Sequence, residues 1–220
     1  MILPTIEKEK ELQKNGFDVI IGVDEVGRGP LAGPVVAGAT WVKPSILEED
    51  FELRGLIRDS KKLSEKQREK IYTFIQGNEG FVSGIGEVSV EMVDKINILN
   101  AALLAMRLAI DEVLEQVEQI IGKEKYQVCV LIDGNKNIPN LELEQKLFAQ
   151  GDQRIFSIAV ASINAKVYRD KLMMKYHREF PEYGFDKHKG YGTKEHLEQL
   201  RKNGACAIHR QSFAPVREVL

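Results

Sequence analysis

The sequence predicts an α/β fold, and two kinds of segment support this prediction. Apolar, β-branched runs typical of buried strands begin at Val19, Phe81 and Tyr126. Longer segments with helical periodicity cover residues 93–121 and 161–178. Strands that alternate with helices are typical of α/β proteins. With 220 residues, the chain is long enough for one domain, with or without a small appendage.

The segment VIIGVDEVGRGPLAGPVVAGA, residues 19–39, predicts two strands joined by a glycine-rich connection. Two adjacent carboxylates, Asp24 and Glu25, come where the first apolar run ends. Gly27 and Gly29 allow the chain to bend and leave backbone N–H groups uncovered by side chains. Two interpretations remain open at this point. The segment is either a solvated hairpin turn with incidental charge, or a site for a hard cation beside a backbone platform for a phosphate or sugar.

The residues on either side of this segment are polar. Residues 1–16 predict a short helical lead-in, and residues 43–58 predict a loop. Ser64 is a suitable N-cap for a helix that continues to about residue 75. Lys61 and Lys62 precede this helix. A solvated lysine pair is the favoured interpretation, and contact with a phosphate is the alternative.

The middle of the chain predicts a strand, a long helix and a second strand. The strand covers residues 81–90, and the helix covers residues 93–121 and ends at Gly122. A stripe of small residues along the helix is suited to packing against a sheet. The next strand, residues 126–132, is followed directly by a third acid, Asp133. Carboxylates at two strand ends suggest a shared site.

The last part of the chain adds a fourth acid and a helical, loop-rich end. Asp152 precedes an apolar run, Ile155–Val160, that predicts another strand, and a helix follows over residues 161–178. A short helix is predicted over residues 195–202. Tyr191 lies between two glycines among lysines. It is either a stacking platform for a nucleic acid or a turn tyrosine packed on its own loop.

Composition excludes several classes of protein. The chain has no apolar run near the length of a membrane span, and its charged N-terminus does not resemble a secretory signal. Cys129 and Cys206 are far apart in sequence, which predicts reduced thiols in a cytoplasmic protein. The formal net charge is −2, but residues 161–220 contain 12 Lys and Arg against 7 Asp and Glu. This basic end is compatible with binding to phosphates.

The acids form an oxygen-only donor set without a nearby His or Cys: Asp24, Glu25, Asp133 and Asp152. Such a set predicts Mg²⁺ or Mn²⁺ in preference to zinc. Two such ions can activate water and stabilise the leaving oxygen of a phosphodiester. A glycosidase would need only two carboxylates, and it would not explain the basic end. The four histidines, His177 on a predicted helix and three scattered in the tail, predict surface or structural roles.

Taken together, the motifs resemble type 2 ribonuclease H, in the form of bacterial ribonuclease HII. The resemblance covers residues 18–216 and depends on these motifs in this order: DEVGRGPLAGPVVAGA, DSKKLS, LIDGN, GD, ASINAKVYRD, HKGYGTKEH and HRQSF. It implies an RNase H-like fold with a mixed central sheet flanked by helices. The implied division is a lead-in over residues 1–17, a catalytic core over 18–180, and a C-terminal extension over 181–220 that helps to bind substrate.

The resemblance also implies cleavage of the RNA strand in RNA–DNA hybrids and at single ribonucleotides in duplex DNA, leaving a 5′-phosphate and a 3′-hydroxyl. Partners other than this substrate are not implied, and a monomer is expected. The implied catalytic metal ligands are Asp24, Glu25, Asp133 and Asp152. The implied substrate contacts are Gly27, Arg28 and Gly29 at the 2′-hydroxyl, Tyr191 at the sugar beyond the RNA–DNA junction, and Lys61, Lys62 and Lys166 at phosphates.

One departure from the family pattern concerns Gln150, which stands where relatives usually have lysine and predicts a change in substrate affinity. The short lead-in favours type 2 over type 3, whose members carry an additional N-terminal domain. Two rival hypotheses remain. One is a hybrid-binding module with an inactive site, and the other is an RNase H-like nuclease that cuts DNA without sensing a 2′-hydroxyl.

Overall fold

A mixed five-stranded sheet forms the centre of the protein in a computed structural model that describes residues 3–48, 54–122 and 125–220. The strands are β1 (Val19–Val26), β2 (Val35–Val42), β3 (Phe81–Val88), β4 (Val128–Asp133) and β5 (Glu144–Phe148). Their order across the sheet is β3-β2-β1-β4-β5. Strands β1, β2 and β3 are antiparallel neighbours, whereas β4 and β5 run parallel to β1. The predicted α/β class is confirmed.

Helices flank this sheet and form most of the C-terminal part. They are α1 (Glu7–Lys14), α2 (Pro44–Glu48), α3 (Glu65–Gln76), α4 (Val90–Ile96), α5 (Ile98–Ile121), α6 (Phe156–Glu179), α7 (Phe185–His188), α8 (Lys194–Asn203) and α9 (Ala214–Arg217). No helix in the described ranges is both long and apolar enough to cross a membrane.

The two longest helices cover opposite faces of the sheet. Helix α5 packs on β2 and β3, and α6 packs on β1 and β2. Glycines in the strands allow this close approach. A β-carbon at Gly38 would collide with the carbonyl oxygen of Ala161 on α6, and one at Gly86 would collide with that of Ala105 on α5. Both helix backbones therefore contact the sheet directly. The strand glycines set the distance between α6 and the sheet, and with it the position of the α6 side chains relative to β1.

The strand predicted at Ile155–Val160 is wrong, because these residues begin the long helix α6 at Phe156. Every residue from Phe156 to Ala165 is buried, so this part of the helix has no solvent-exposed face and lacks the periodicity that identifies a surface helix. Strand β5 was missed for the opposite reason. It is a short edge strand with polar, partly exposed side chains.

Two further boundaries differ from the predictions. The predicted helix over 93–121 is two helices, α4 and α5, separated at Asn97, whose backbone has φ 65° and whose side chain caps the start of α5. The predicted loop over 43–58 contains α2, and its residues 49–53 lie outside the described part. The predicted N-cap is confirmed, because Ser64 and Gln67 form a reciprocal capping box at the start of α3.

Candidate active site

The four acids lie on elements that meet at one end of the sheet. Asp24 and Glu25 are in the second half of β1, Asp133 is the last residue of β4, and Asp152 is in the 3₁₀ turn before α6. Strands β1 and β4 are parallel neighbours, so their C-terminal ends lie side by side. The fold therefore gathers acids that are more than 100 residues apart in sequence.

The first strand does not end at its two acids. It continues to Val26, and Asp24 and Glu25 pair with Gly38 and Ala37 of β2. The chain therefore stays extended through both acids, and neighbouring strand residues face opposite sides of the sheet. Asp24 faces α6, and Glu25 lines a cavity on the side of α5. The two carboxylates approach the site from either side of the strand.

Asp24 is buried, with 7% of its surface exposed. Its Oδ1 atom accepts a hydrogen bond from the backbone N–H of Glu25 at 2.8 Å. Burial is the main cause that raises the pKa of Asp24 well above its ordinary value, and the charges of Glu25 and Asp133 raise it further. A hydrogen bond with Ser162 acts in the opposite direction. The site therefore concentrates negative charge in a poorly solvated place.

Asp133 and Asp152 are connected through the backbone. The Oδ1 atom of Asp133 accepts a hydrogen bond from the N–H of Gly151 at 2.6 Å, which holds the turn that carries Asp152. Burial raises the pKa of Asp152, and the charges of Asp133 and Asp59 raise it further. The ammonium group of Lys61 lowers it. Asp152 therefore belongs to the same electrostatic cluster as the acids on the strands.

Glu25 is held by the side chain of Arg28, whose Nη1 atom lies 3.0 Å from Oε1 of Glu25. Burial nevertheless raises the pKa of Glu25, because the hydrogen bond and charge of Arg28 do not fully offset it. Among the described residues, no three His, Cys, Asp or Glu side chains are close enough together to form a preformed metal-coordination site. The donor set still fits a hard divalent cation, because it consists of crowded carboxylates whose mutual repulsion such an ion would remove.

Lys61 lies beside the acids in the turn Ser60–Lys62. Burial acts to lower the pKa of its ammonium group, but the charges of Asp24, Asp152 and Asp59 outweigh burial and raise it. The same turn is joined to α6, because the hydroxyl groups of Ser60 and Ser162 are 3.0 Å apart. Ser162 therefore contacts both this turn and Asp24, a connection that the sequence did not reveal.

The other two lysines make contacts of their own. Lys62 donates to the side chain of Gln153 at 3.3 Å, and its Nζ atom lies 3.7 Å from Asp59. Lys166 on α6 donates to Asp170 at 2.6 Å. Asp170 also lies 3.7 Å from Arg68. Lys62 therefore lies near the turn that carries Asp152, and Lys166 is engaged in an ion pair.

Two fully buried arginines hold the connection between β1 and β2, and sequence reasoning assigned them no role. The guanidinium group of Arg210 donates to the carbonyl oxygens of Gly27, Arg28, Pro30 and Gly33. That of Arg169 donates to the carbonyl oxygens of Ala32, Pro34 and Lys189. Arg169 lies in the motif ASINAKVYRD and Arg210 in HRQSF, but a sequence motif does not indicate that an arginine side chain is completely buried. They fix the direction of the peptide units in this loop.

Tyr191 lies next to the same loop. A β-carbon on Gly29 would be 3.6 Å from Cε1 of the tyrosine ring, and 41% of Tyr191 is exposed. The N–H of Leu31 donates to the carbonyl oxygen of Gly190 at 2.8 Å, which joins the two segments. The structure therefore brings Tyr191 and the Gly27–Gly29 segment together at an accessible surface.

Three histidines are not scattered, as the sequence suggested, but form a buried cluster behind Tyr191. His188, His196 and His209 each expose 8% of their surface or less. His177 lies apart on α6, with its Nδ1 atom 3.4 Å from Asp186. Spacing in sequence did not predict the cluster, because its members lie on three separate elements of the C-terminal part. Both cysteines are free, as predicted.

Comparison with known proteins shows similarity to one family over most of the chain. A sequence model described as ribonuclease HII matches residues 21–216. A ribonuclease HII of Chlamydia caviae is 47% identical over 212 residues, which cover 96% of this chain and 92% of the relative.

Solved structures have the same fold at lower sequence identity. The ribonuclease H2 of Pyrococcus horikoshii aligns with a TM-score of 0.66 and 23% identity, covering 91% of this chain and 96% of that one. A Bst-RNase HIII, solved in complex with Mn²⁺, aligns with a TM-score of 0.63 and 17% identity, covering 94% and 70% of the two chains. These likenesses support the RNase H-like fold that the resemblance implied.

Proposed function

The chain belongs to the ribonuclease HII family, and we propose that it cuts the RNA strand of RNA–DNA hybrids and also single ribonucleotides embedded in duplex DNA. Family membership makes it a ribonuclease H-type hydrolase that depends on divalent metal. One observation is the main support for the proposed cleavage of hybrids and of single ribonucleotides. Four carboxylates meet beside a glycine-rich loop and an exposed tyrosine, which combines a metal site with a surface for a sugar–phosphate backbone.

The proposed metal ligands are Asp24, Glu25, Asp133 and Asp152, and the proposed ion is Mg²⁺ or Mn²⁺. When bound, the metal supplies an activated water and stabilises the leaving oxygen of the phosphodiester. Direct attack by this water, without a covalent intermediate on the protein, would give products with 5′-phosphate and 3′-hydroxyl ends. Lys61, whose ammonium group is held near Asp24 and Asp152, is placed to balance charge on the scissile phosphate.

Recognition of the ribonucleotide is assigned to Gly27, Arg28 and Gly29. The 2′-hydroxyl is the group that distinguishes RNA from DNA at one nucleotide, and backbone groups without bulky side chains can approach it closely. Arg210 holds the carbonyl oxygens of Gly27 and Arg28, which sets the orientation of the peptide units that would contact the sugar. A flexible loop could not discriminate by so small a group.

Tyr191 is proposed to stack against the deoxyribose just beyond the RNA–DNA junction. Its position beside Gly29 supports this role, because a ring there would exclude a nucleotide that carries a 2′-hydroxyl. Residues 181–220 would then form a substrate-binding extension of the core over 18–180, following the lead-in over 1–17. Lys62 and Lys166 are weaker candidates for phosphate contacts. We propose that the protein acts as a monomer in the cytoplasm.

A duplex DNA with one ribonucleotide tests this proposal directly. The protein is incubated with it in the presence of Mg²⁺, Mn²⁺ or a chelator, and the cut is mapped. We expect metal-dependent cleavage on the 5′ side of the ribonucleotide, which leaves the 5′-phosphate on the ribonucleotide. This cleavage should occur only when the 2′-hydroxyl is present. Binding without cleavage in either metal would favour the inactive hybrid-binding module, and cleavage of an all-DNA duplex would favour a DNA nuclease.

A further inference from the structure

The buried histidine cluster is directly connected to Tyr191. The Nδ1 atom of His196 lies 2.9 Å from the carbonyl oxygen of Tyr191, and its Nε2 atom lies 3.0 Å from Nε2 of His209. On the far side of His209, Nδ1 receives the backbone N–H of Cys206 at 3.0 Å. A continuous chain of hydrogen bonds therefore runs from Cys206 to the backbone of the tyrosine.

The backbone partners define which nitrogen atoms carry protons. Because Nδ1 of His209 accepts an N–H, its proton must be on Nε2, and this proton is donated to Nε2 of His196. His196 must then carry its own proton on Nδ1 and donate it to the carbonyl oxygen of Tyr191. A carbonyl oxygen can only accept, so the two ends of the chain independently require the same arrangement.

We propose that His196 and His209 are positioning residues that act together as a neutral hydrogen-bond relay and hold the backbone of Tyr191, and with it the ring, at the substrate surface. The proposal concerns how Tyr191 is held and rests on the proposed contact of Tyr191 with substrate. The carbonyl oxygen of Tyr191 also accepts the N–H of Thr193 at 2.8 Å, so the relay supplies a second, side-chain tether to a residue flanked by two glycines.

The surroundings favour an uncharged relay. An additional proton on either ring would place two N–H groups against each other, at the contact between the rings or at the N–H of Cys206. The ring of His188 stacks on His196 at 4.5 Å, and its Nδ1 accepts the N–H of Gly190. Other ionisable groups near the relay in the described part of the chain include Tyr183, the Cys206 thiol, the guanidinium group of Arg210 and the carboxylates of Glu182 and Glu195.

Nitrogen NMR of the imidazole rings tests the relay without any measurement of activity. In the metal-free wild-type protein near pH 7.5, we expect His196 to be protonated at Nδ1 and His209 at Nε2. The Nδ1 form is the minor one for free histidine, so its observation is diagnostic. A spectrum with His196 protonated at Nε2, or with either ring doubly protonated, would overturn the proposal.

Two amide substitutions separate the halves of the relay. His209→Gln keeps an N–H donor long enough to reach His196, whereas the shorter side chain of His209→Asn can accept the N–H of Cys206 but does not reach His196. We expect His209→Gln to retain the Nδ1 form of His196 and near wild-type cleavage at a single ribonucleotide. His209→Asn should lose this form and cleave about three- to tenfold more slowly, which corresponds to the loss of one hydrogen bond. His177→Gln is the matched control on a histidine outside the relay.

Comparison with Tyr191→Ala distinguishes the possible failures. If Tyr191→Ala impairs cleavage but His209→Asn and His209→Gln cleave alike, the positioning role is rejected and the proposed role of Tyr191 stands. If Tyr191→Ala has no effect on either substrate, the proposed substrate contact is wrong, and a functional role for the relay is rejected with it. The NMR result reports separately on whether the hydrogen-bond chain exists.

Discussion

The Oδ1 atom of Asp133 accepts a hydrogen bond from the backbone N–H of Gly151 at 2.6 Å. This bond joins the end of β4 to the turn that carries Asp152, so two of the four acids are held relative to each other by backbone geometry. A carboxylate has about four lone-pair sites, so Asp133 can accept this hydrogen bond and still bind a cation. The site is therefore partly organised before any metal binds, although the carboxylates still repel one another.

Asp24→Asn should abolish cleavage while leaving binding to the duplex measurable. Even partners outside the ligand shell of a metal change affinity or activity by about 10- to 100-fold, so loss of a proposed ligand should reduce cleavage by more than this. Removing one negative charge from a crowded, buried cluster should also stabilise the metal-free protein and raise its melting temperature. Single-turnover cleavage, duplex binding and thermal unfolding in a chelator measure the three effects.

The control for this change is Asp111→Asn. Asp111 forms an ion pair with Arg107 at 2.8 Å on α5, outside the acid cluster, so its substitution should leave cleavage unchanged and should not stabilise the protein. Wild-type cleavage by Asp24→Asn would remove Asp24 from the catalytic set. Loss of both cleavage and binding would instead indicate that Asp24 organises the substrate surface as a whole.

Tyr191→Ala should reduce cleavage at a lone ribonucleotide more than cleavage within a long hybrid. A junction with DNA is present at every lone ribonucleotide, whereas most positions in a long hybrid have none. Stacking of a base on an aromatic side chain contributes roughly 1–3 kcal/mol, and a sugar contact near the lower end of this range would correspond to a loss of about 10-fold at the junction. Tyr191→Phe keeps the ring and should retain the preference. An equal loss on both substrates would count against a contact at the junction.

Arg210→Lys should destabilise the protein and weaken cleavage at the same time. A lysine cannot reproduce the planar fork of donors that reaches the carbonyl oxygens of Gly27, Arg28, Pro30 and Gly33. Buried carbonyl groups left without donors cost about 1–3 kcal/mol each, so we expect a loss of roughly 3 kcal/mol in the free energy of unfolding. Denaturant unfolding measures this loss, and cleavage well below the melting temperature measures the effect on the loop.

Arg217→Lys provides the comparison for this change, because Arg217 is exposed on α9. It should alter neither stability nor cleavage. If Arg210→Lys unfolds like the wild type, the four hydrogen bonds to the loop contribute little. If it is destabilised but cleaves normally while folded, the loop does not need Arg210 for its orientation.

The positions of the acids could be predicted from the sequence because each follows a local signal. Asp24, Glu25 and Asp133 come at or near the end of apolar runs that form neighbouring strands, and the order of the motifs supplied Asp152. The strand that was expected after Asp152 is helical, yet the acid still reaches the cluster. The 3₁₀ turn and its bond to Asp133 place it there.

The supporting residues could not be predicted, because their roles depend on long-range contacts. Arg210 lies some 180 positions from the loop that it holds, and nothing near it in sequence indicates burial. His196 and His209 are 13 residues apart and meet only because the chain turns back after α8. Periodicity reports which face of an element is apolar, and it carries no information about a buried polar group whose partners are distant.

The buried histidines should make the folded protein less stable as the pH falls from about 6.5 towards 4. Burial lowers the pKa of His196 and of His209 to about 4 in the folded chain, while in the unfolded chain their pKa is near 6.5. Between these values the unfolded chain binds more protons, so the free energy of unfolding decreases with decreasing pH. More than about one pH unit above 6.5, both rings are almost entirely neutral in both states, and their contribution to stability is complete.

The variant His209→Gln isolates this contribution, since the carboxylates act in the opposite direction. The raised pKa values of Asp24 and Asp152 mean that the folded chain binds their protons first, which favours folding as the pH falls through those values. The wild-type curve therefore contains both effects. One histidine contributes a slope of at most about 1.4 kcal/mol per pH unit, so unfolding by urea at several pH values in a chelator should give a shallower acid-side slope for His209→Gln. Parallel curves for the two proteins would mean that His209 titrates in the folded chain as it does in the unfolded one.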